Sequence, residues 1–159
     1  MITDTDVAHL RTAVDLAARA LAAGHSPFGS VLVSAAGEVL FADHNRDGAG
    51  ALTRHPELAI AQWSEENLSR EQRAAATVYT SGEHCPMCAG AHAWAGLGRI
   101  VYASSAAQLS AWVQEFQAPA APTAPVPVRE IAPGLSVEGP VAEFTAELKE
   151  LQRRWHTGQ

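Results

Sequence analysis

The stretch TVYTSGEHCPMCAGAHAWAGLGRIVYA, residues 77–103, decides the fold. Thr77-Val78-Tyr79-Thr80 reads as a short strand of β-branched and aromatic residues, and Arg99-Ile100-Val101-Tyr102-Ala103 as a second. Residues 86–95 between them read as a helix of small side chains that can pack closely. Working outward toward the N-terminus, residues 4–23 carry Val7, Leu10, Val14, Ala17 and Leu21 at helical spacing. Thr3 and Asp6 resemble a capping box for that helix, and Gly24 is a stop signal. Ser30–Ser34 and Glu38–Ala42 flank the small-residue turn Ala35-Ala36-Gly37 and predict a β-hairpin. Residues 43–54, rich in Gly, Asp and Asn, form a loop. A helix follows from Pro56 to about Leu68, with Pro in the first turn, where its missing N–H costs nothing. Toward the C-terminus, Leu109, Trp112, Val113 and Phe116 mark a helix, and the Ala/Pro-rich Gln117–Pro127 reads as a surface excursion. A strand near Leu135–Val137 and an amphipathic helix over 141–155 complete the chain, the latter with Val141, Phe144, Leu148, Leu151 and Trp155 on one face. A helix, a hairpin and then alternating helices and strands imply a layered α/β sandwich, in one domain spanning residues 1–159.

Composition narrows the function. The 159 residues are 47% hydrophobic and 18% charged, ordinary for a folded protein. Lys plus Arg number 11 against 17 for Asp plus Glu, a net charge of −6 without any Lys/Arg run. That sign disfavours nucleic-acid backbones and anionic membranes as partners. No apolar stretch approaches the roughly 20 residues needed to span a bilayer. Met1–Asp6 lacks a secretory pattern, so a cytoplasmic location is the default expectation. The only cysteines are Cys85 and Cys88, a spacing that suggests metal binding or redox catalysis.

His55-Pro56-Glu57 and Cys85-Pro86-Met87-Cys88 carry the chemistry when taken together. One His and two Cys supply three ligands suited to one Zn²⁺ per chain and leave the fourth tetrahedral position for water, as a catalytic site requires. A closed structural site needs a fourth protein ligand, and no second C-x-x-C or H-x-x-x-H is present. His84, adjacent to Cys85, diverges from it as neighbouring side chains do. Glu57, two positions after His55, can face the metal-bound water as a base without ligating the ion. A histidine two positions before a glutamate, followed by C-x-x-C, is the signature of zinc deaminases. A non-catalytic zinc or redox module is the competing reading of a different class; intact Glu57 and the absence of a fourth ligand argue against it.

At these residues the chain resembles the cytidine deaminase-like superfamily, within it the branch of guanine and tRNA-adenosine deaminases. Pro27-Phe28-Gly29, His44-Asn45, Thr80-Ser81-Gly82-Glu83 and Trp94-Ala95-Gly96 follow in the family's order. The resemblance implies a three-layer α/β/α sandwich around a mixed five-stranded sheet. It implies that His55, Cys85 and Cys88 hold zinc, that Glu57 shuttles protons, that Asn45 hydrogen-bonds the substrate ring and that Phe28 stacks on it. It also implies a homodimer and a C-terminal segment folded over the pocket, here with Trp155 and His156 at its last turn. The small substrate expected is guanine-like, on Trp94-Ala95-Gly96 and the acidic balance. Cytosine, cytidine, a pterin or a triazine remain open, because Ser104–Phe116 lacks an Asp-rich stretch and offers only Ser104, Ser105 and Gln108 as polar substitutes. A tRNA adenosine substrate is the further alternative. Two departures from the family pattern bear on the substrate: His84 stands where the family has Pro, and Pro56 removes a backbone N–H donor.

Overall fold

A computed structural model describes residues 1–159. The elements run α1 (Asp4–Ala22), β1 (Gly29–Val33), β2 (Val39–His44), α2 (Pro56–Asn67), α3 (Arg70–Ala75), β3 (Thr77–Gly82), α4 (Pro86–Ala95), β4 (Arg99–Ser104), α5 (Ala106–Glu115), α6 (Val128–Ile131), β5 (Val137–Glu138) and α7 (Thr145–Thr157). The five strands form one mixed sheet in the order β2-β1-β3-β4-β5. β1 is antiparallel to both its neighbours, whereas β3, β4 and β5 are parallel. Gly29 pairs with His44, Ser30 with Thr80, and Gly82 with Ser104. The start of β1 and the ends of β2, β3 and β4 therefore share one edge, the carboxyl side of the parallel strands where α/β proteins build their sites.

Strand residues alternate between two covered faces. Val31, Val33, Tyr79, Val101 and Ala103 pack with Leu10, Val14, Phe144, Leu148 and Leu151, so α1, α5 and α7 cover one side. Leu32, Val78 and Ile100 point the other way, onto α2, α4 and α6. This is the expected three-layer α/β/α sandwich. Gly29 permits the closest approach, since a side chain there would overlap the backbone of Ala13 and Ala17 in α1.

The local signals that act within a few residues hold. Thr3 and Asp6 make the capping box of α1, and the hairpin turns at residues 35–37. Several boundaries move. β2 runs on to His44, into what reads as loop, because its pairing with β1 continues to Gly29. A 3-10 turn at Ala142–Phe144 precedes α7, which begins at Thr145 rather than 141. α3 and α6 have no counterpart in the sequence reading. α3 buries no residue and so leaves no apolar periodicity, although Ser69 and Gln72 form its capping box.

A charged clasp closes the edge of the sheet opposite the site. Asp6, almost fully buried, accepts from Arg99 Nη1 at 2.7 Å and Nη2 at 3.1 Å, from Tyr79 Oη at 2.7 Å and from Thr3 N at 2.8 Å. Arg99 Nε also donates to Glu138 Oε1 at 2.9 Å, so α1 is tied to β3, β4 and β5 at once. Burial alone would raise the Asp6 carboxyl; the bonds from Arg99, Thr3 and Tyr79 outweigh it and hold it well below the carboxylate range. Burial and the Asp6 anion push the Tyr79 phenol up to about 12. A depressed native value contributes stability that is complete above the unfolded carboxylate range and is lost progressively as pH falls from that range through the lower native value. Asp6→Asn should cost about 1.5–3 kcal/mol at pH 7, the worth of hydrogen bonds to a charged group. Urea titrations should show the gap between wild type and variant narrowing toward pH 3; a constant gap would mean that the charge contributes nothing.

Candidate active site

Two helices begin at the site edge, and each begins in the same unusual way. α2 starts at Pro56 with His55 as its N-cap, and α4 starts at Pro86 with Cys85 as its N-cap. Proline at the first position pre-sets the backbone for the helix. Neither His55 nor Cys85 uses its side chain to cap, as Ser or Asp would. Both side chains are left to turn toward each other. Cys88, one turn into α4, is fully buried and joins them.

The donor atoms of His55, Cys85 and Cys88 lie within 4.8 Å of one another, and no other His, Cys, Asp or Glu completes a ligand group with them. His55 Nδ1 is 3.6 Å from Cys85 Sγ and 3.5 Å from Cys88 Sγ. Zinc bonds of about 2.05 Å to nitrogen and about 2.3 Å to sulfur, at the tetrahedral angle, span an N···S edge of about 3.6 Å. The donor set therefore fits zinc in both chemistry and spacing. The Cys85 thiol is drawn down to about 4, first by the hydrogen bond from Cys88 and then by His55. Its proximity pushes Cys88 up in turn, against a backbone N–H from Leu58 at the start of α2. A backbone N–H at the start of each helix therefore faces sulfur, that of Cys88 toward Cys85 and that of Leu58 toward Cys88.

Glu57, 6% exposed, sits on the sheet side of α2 outside the ligand group. Ser30 Oγ lies 2.7 Å and Thr80 Oγ1 2.9 Å from its Oε1, so both side-chain hydrogen bonds fall on the same carboxylate oxygen. Ser30 and Thr80 are register partners on adjacent strands, 2.8 Å apart through their hydroxyls. Sequence reasoning missed both. The available signal was period-two alternation, which places Ser30 on the face of Leu32 and Thr80 on the face of Val78.

Asn45 and Phe28 come to the same edge, joined by Asn45 N donating to Phe28 O at 3.0 Å. Asn45 is buried, and its carbonyl Oδ1 has no partner. Phe28 is half-buried against Gly82, where an added Cβ would stand 3.0 Å from its ring. Other expected residues turn out to be occupied elsewhere. Ser105 and Gln108 cap α5 reciprocally, and Ser104 Oγ donates to Ser81 O at 2.9 Å, so these three are scaffolding rather than free pocket groups. Glu83 accepts from Ala106 N and Val128 N, fixing α5 and α6 to the end of β3. His84 is fully buried edge-on to His92, with both ring nitrogens unpartnered; burial holds it neutral by lowering it well below its ordinary value. At the C-terminus, the His156 ring packs 6.5 Å from Phe116 of α5. Gln152 of α7 reaches the loop before β1, its Nε2 donating to Pro27 O at 3.3 Å.

A three-layer α/β/α sandwich with a His/Cys/Cys group at two helix starts is a metal-binding protein of the deaminase type. The chain belongs to the cytidine and deoxycytidylate deaminase zinc-binding family, whose model matches residues 3–104. A probable cytosine deaminase of Schizosaccharomyces pombe is 32% identical over 105 residues, 65% of this chain; the match spans 63% of that relative, less than two thirds of its length. A solved tRNA:A34 deaminase is 30% identical with a TM-score of 0.54, covering 62% of this chain and 75% of its own. A solved guanine deaminase from Nitrosomonas europaea is 19% identical with a TM-score of 0.69, covering 99% of this chain and 86% of its own. Zinc is the cofactor to which the family and the donor set both point.

Purified protein should carry about one zinc per chain by elemental analysis. Cys88→Ser should lose the metal and lower the melting temperature, because binding at such a site is coupled to folding. Full zinc occupancy in that variant would remove Cys88 from the ligand set.

Proposed function

We propose that this chain is a zinc-dependent hydrolytic deaminase of a small aminated nucleobase or nucleoside, guanine-like ahead of cytosine, cytidine, a pterin or a triazine. The observation that carries the reading is the Glu57 carboxylate. It is buried at 6% exposure with Ser30 and Thr80 both on Oε1, in a chain whose His55, Cys85 and Cys88 have the spacing of a zinc site. Zinc held by those three residues supplies a Lewis acid and acidifies water at the open position. Glu57 supplies proton transfer: with one oxygen fixed, the other can take a proton from water and return it to the departing amine. Phe28 and Asn45 are assigned as ring contacts, the first by its half-buried face over Gly82 and the second by its unpaired buried oxygen. A guanine-like ring is favoured on Trp94-Ala95-Gly96, and a guanine deaminase of Bacillus subtilis, 33% identical over 96 residues, is among the relatives. The net charge of −6 argues the same way against RNA.

Free thiols at residues 85 and 88 suit a reducing compartment, and the cytoplasm is the proposed location. A homodimer through α4 is proposed as well. Trp94 is 91% exposed on that helix, beside the partly exposed Met87 and the partly exposed, small Gly90 and Ala91, which would let a second copy approach closely.

Ammonia release should be measured across aminated purines, pyrimidines, nucleosides, pterins and triazines, with an anticodon stem-loop RNA alongside. Turnover of a free ring and none of the RNA is expected. Glu57→Gln should keep its zinc and fold yet lose several orders of magnitude in kcat. Near-normal turnover by that variant would assign the proton to another group, and robust deamination of the RNA would overturn the small-substrate reading. Sedimentation should give twice the 16.8 kDa chain mass; a monomer at micromolar concentration would refute the dimer.

A further inference from the structure

The loop between β2 and α2 is fastened to the loop between α1 and β1 by a closed set of hydrogen bonds around Asn45. Asn45 Nδ2 donates to Ser26 Oγ at 2.6 Å and to Asp47 Oδ2 at 3.1 Å. Ser26 Oγ in turn donates to Asp47 Oδ2 through a short contact, and Ser26 N donates to Asp47 Oδ1 at 3.0 Å. Beside them, Gly48, the residue after Asp47, donates from its N to Nδ1 of His25, the residue before Ser26, at 2.8 Å. Ser26 and Asn45 are both buried. Burial alone would raise the Asp47 carboxyl, but the bonds from Ser26 and Asn45 outweigh it and hold it below its ordinary value. Asp47 is therefore an anion at neutral pH, and an ionised carboxylate can only accept.

An acceptor-only neighbour decides which way an amide points. With Asp47 Oδ2 and Ser26 Oγ on one side, both N–H groups of the Asn45 amide are consumed there. Turning the amide over would set its oxygen against the carboxylate and forfeit both bonds. Oδ1 must then face the other way, and there it is buried with no partner. A buried acceptor without a donor is destabilising, and such a group calls for a specific explanation.

We infer that Asp47, with Ser26, is a positioning residue that locks Asn45 as a hydrogen-bond acceptor, so that the ring this protein takes presents an N–H donor to Asn45 Oδ1. The inference rests on the proposed reading that Asn45 touches the substrate and deepens it by specifying the edge that is read. A ring offering only a carbonyl oxygen or a bare nitrogen lone pair at that edge meets a like partner and is rejected. Rejection of this kind is strong, because a site built around one polar partner is left unpaired by the wrong analogue.

The test uses full-length, zinc-loaded protein and the best substrate from the deamination panel, together with its singly N-methylated analogues. Wild type should discriminate sharply against the one analogue whose methyl replaces the N–H read by Asn45. Asp47→Asn is isosteric, but its amide can donate, which frees the Asn45 amide to turn. It should keep zinc and fold, raise KM about tenfold or more with a smaller change in kcat, and shrink the penalty for that N-methylation at least tenfold. Ser26→Ala, which leaves the Asp47 anion and its bond from Ser26 N in place, should move both quantities in the same direction by less. It carries the test if Asp47→Asn does not fold. An active wild type whose variants show unchanged KM and unchanged discrimination would overturn the role of Asp47 while leaving the deaminase reading standing. A zinc-loaded wild type that releases ammonia from no ring would overturn the deaminase reading itself.

Discussion

The site depends on two helix N-termini that converge while leaving their caps undone. α2 and α4 begin 30 residues apart, each on a proline, each with a metal-binding side chain at the position where Ser or Asp would ordinarily bond back to the helix. The uncapped ends leave backbone N–H groups and positive dipole ends directed at the space between them. The Cys85 sulfur, drawn down chiefly by the hydrogen bond from Cys88 and by His55, lies in that space. His55, Cys85 and Cys88 would hold a cation there without further protein ligands, which would leave a position for chemistry.

The sheet brings the two helix starts together. β3 and β4 run parallel, so α4 must cross between them and begin at the carboxyl end of β3. β1 enters antiparallel beside β3 and sets Ser30 opposite Thr80, under Glu57. The face that buries Leu32 and Val78 as ordinary core thus ends, one alternation later, in two hydroxyls that orient a carboxylate. At the opposite edge the Asp6–Arg99–Glu138 clasp ties α1 across three strands. The site edge is free to be polar because the rest of the sheet is covered on both faces.

Those features that act over a few residues were legible in the sequence. The Thr3/Asp6 capping box, the turn at residues 35–37, the prolines opening α2 and α4, and the apolar face of α7 all follow from local chemistry, and Phe144, Leu148 and Leu151 are buried as that face requires. The three-ligand group was legible because its residue types have few other uses together. What escaped reading depends on partners distant in the chain. Ser30 and Thr80 look like ordinary strand residues until the β1–β3 register is known. Ser26 and Asp47 look like turn residues until their loops meet. Ser104, Ser105 and Gln108 looked available for a ligand, yet strand and helix ends claim them first. Gln152 likewise looks like an ordinary helix residue until α7 is packed, when its amide meets Pro27 O beside the site.

The central claim is that three protein ligands hold zinc and a fourth position stays open. X-ray absorption at the zinc edge of the purified protein reports this most directly. The account predicts two sulfur scatterers at about 2.3 Å and two nitrogen or oxygen scatterers at about 2.0–2.1 Å, one of the latter exchanging when a small anion is added. A shell of four protein ligands that no added anion perturbs, or a folded protein without stoichiometric zinc, would contradict it.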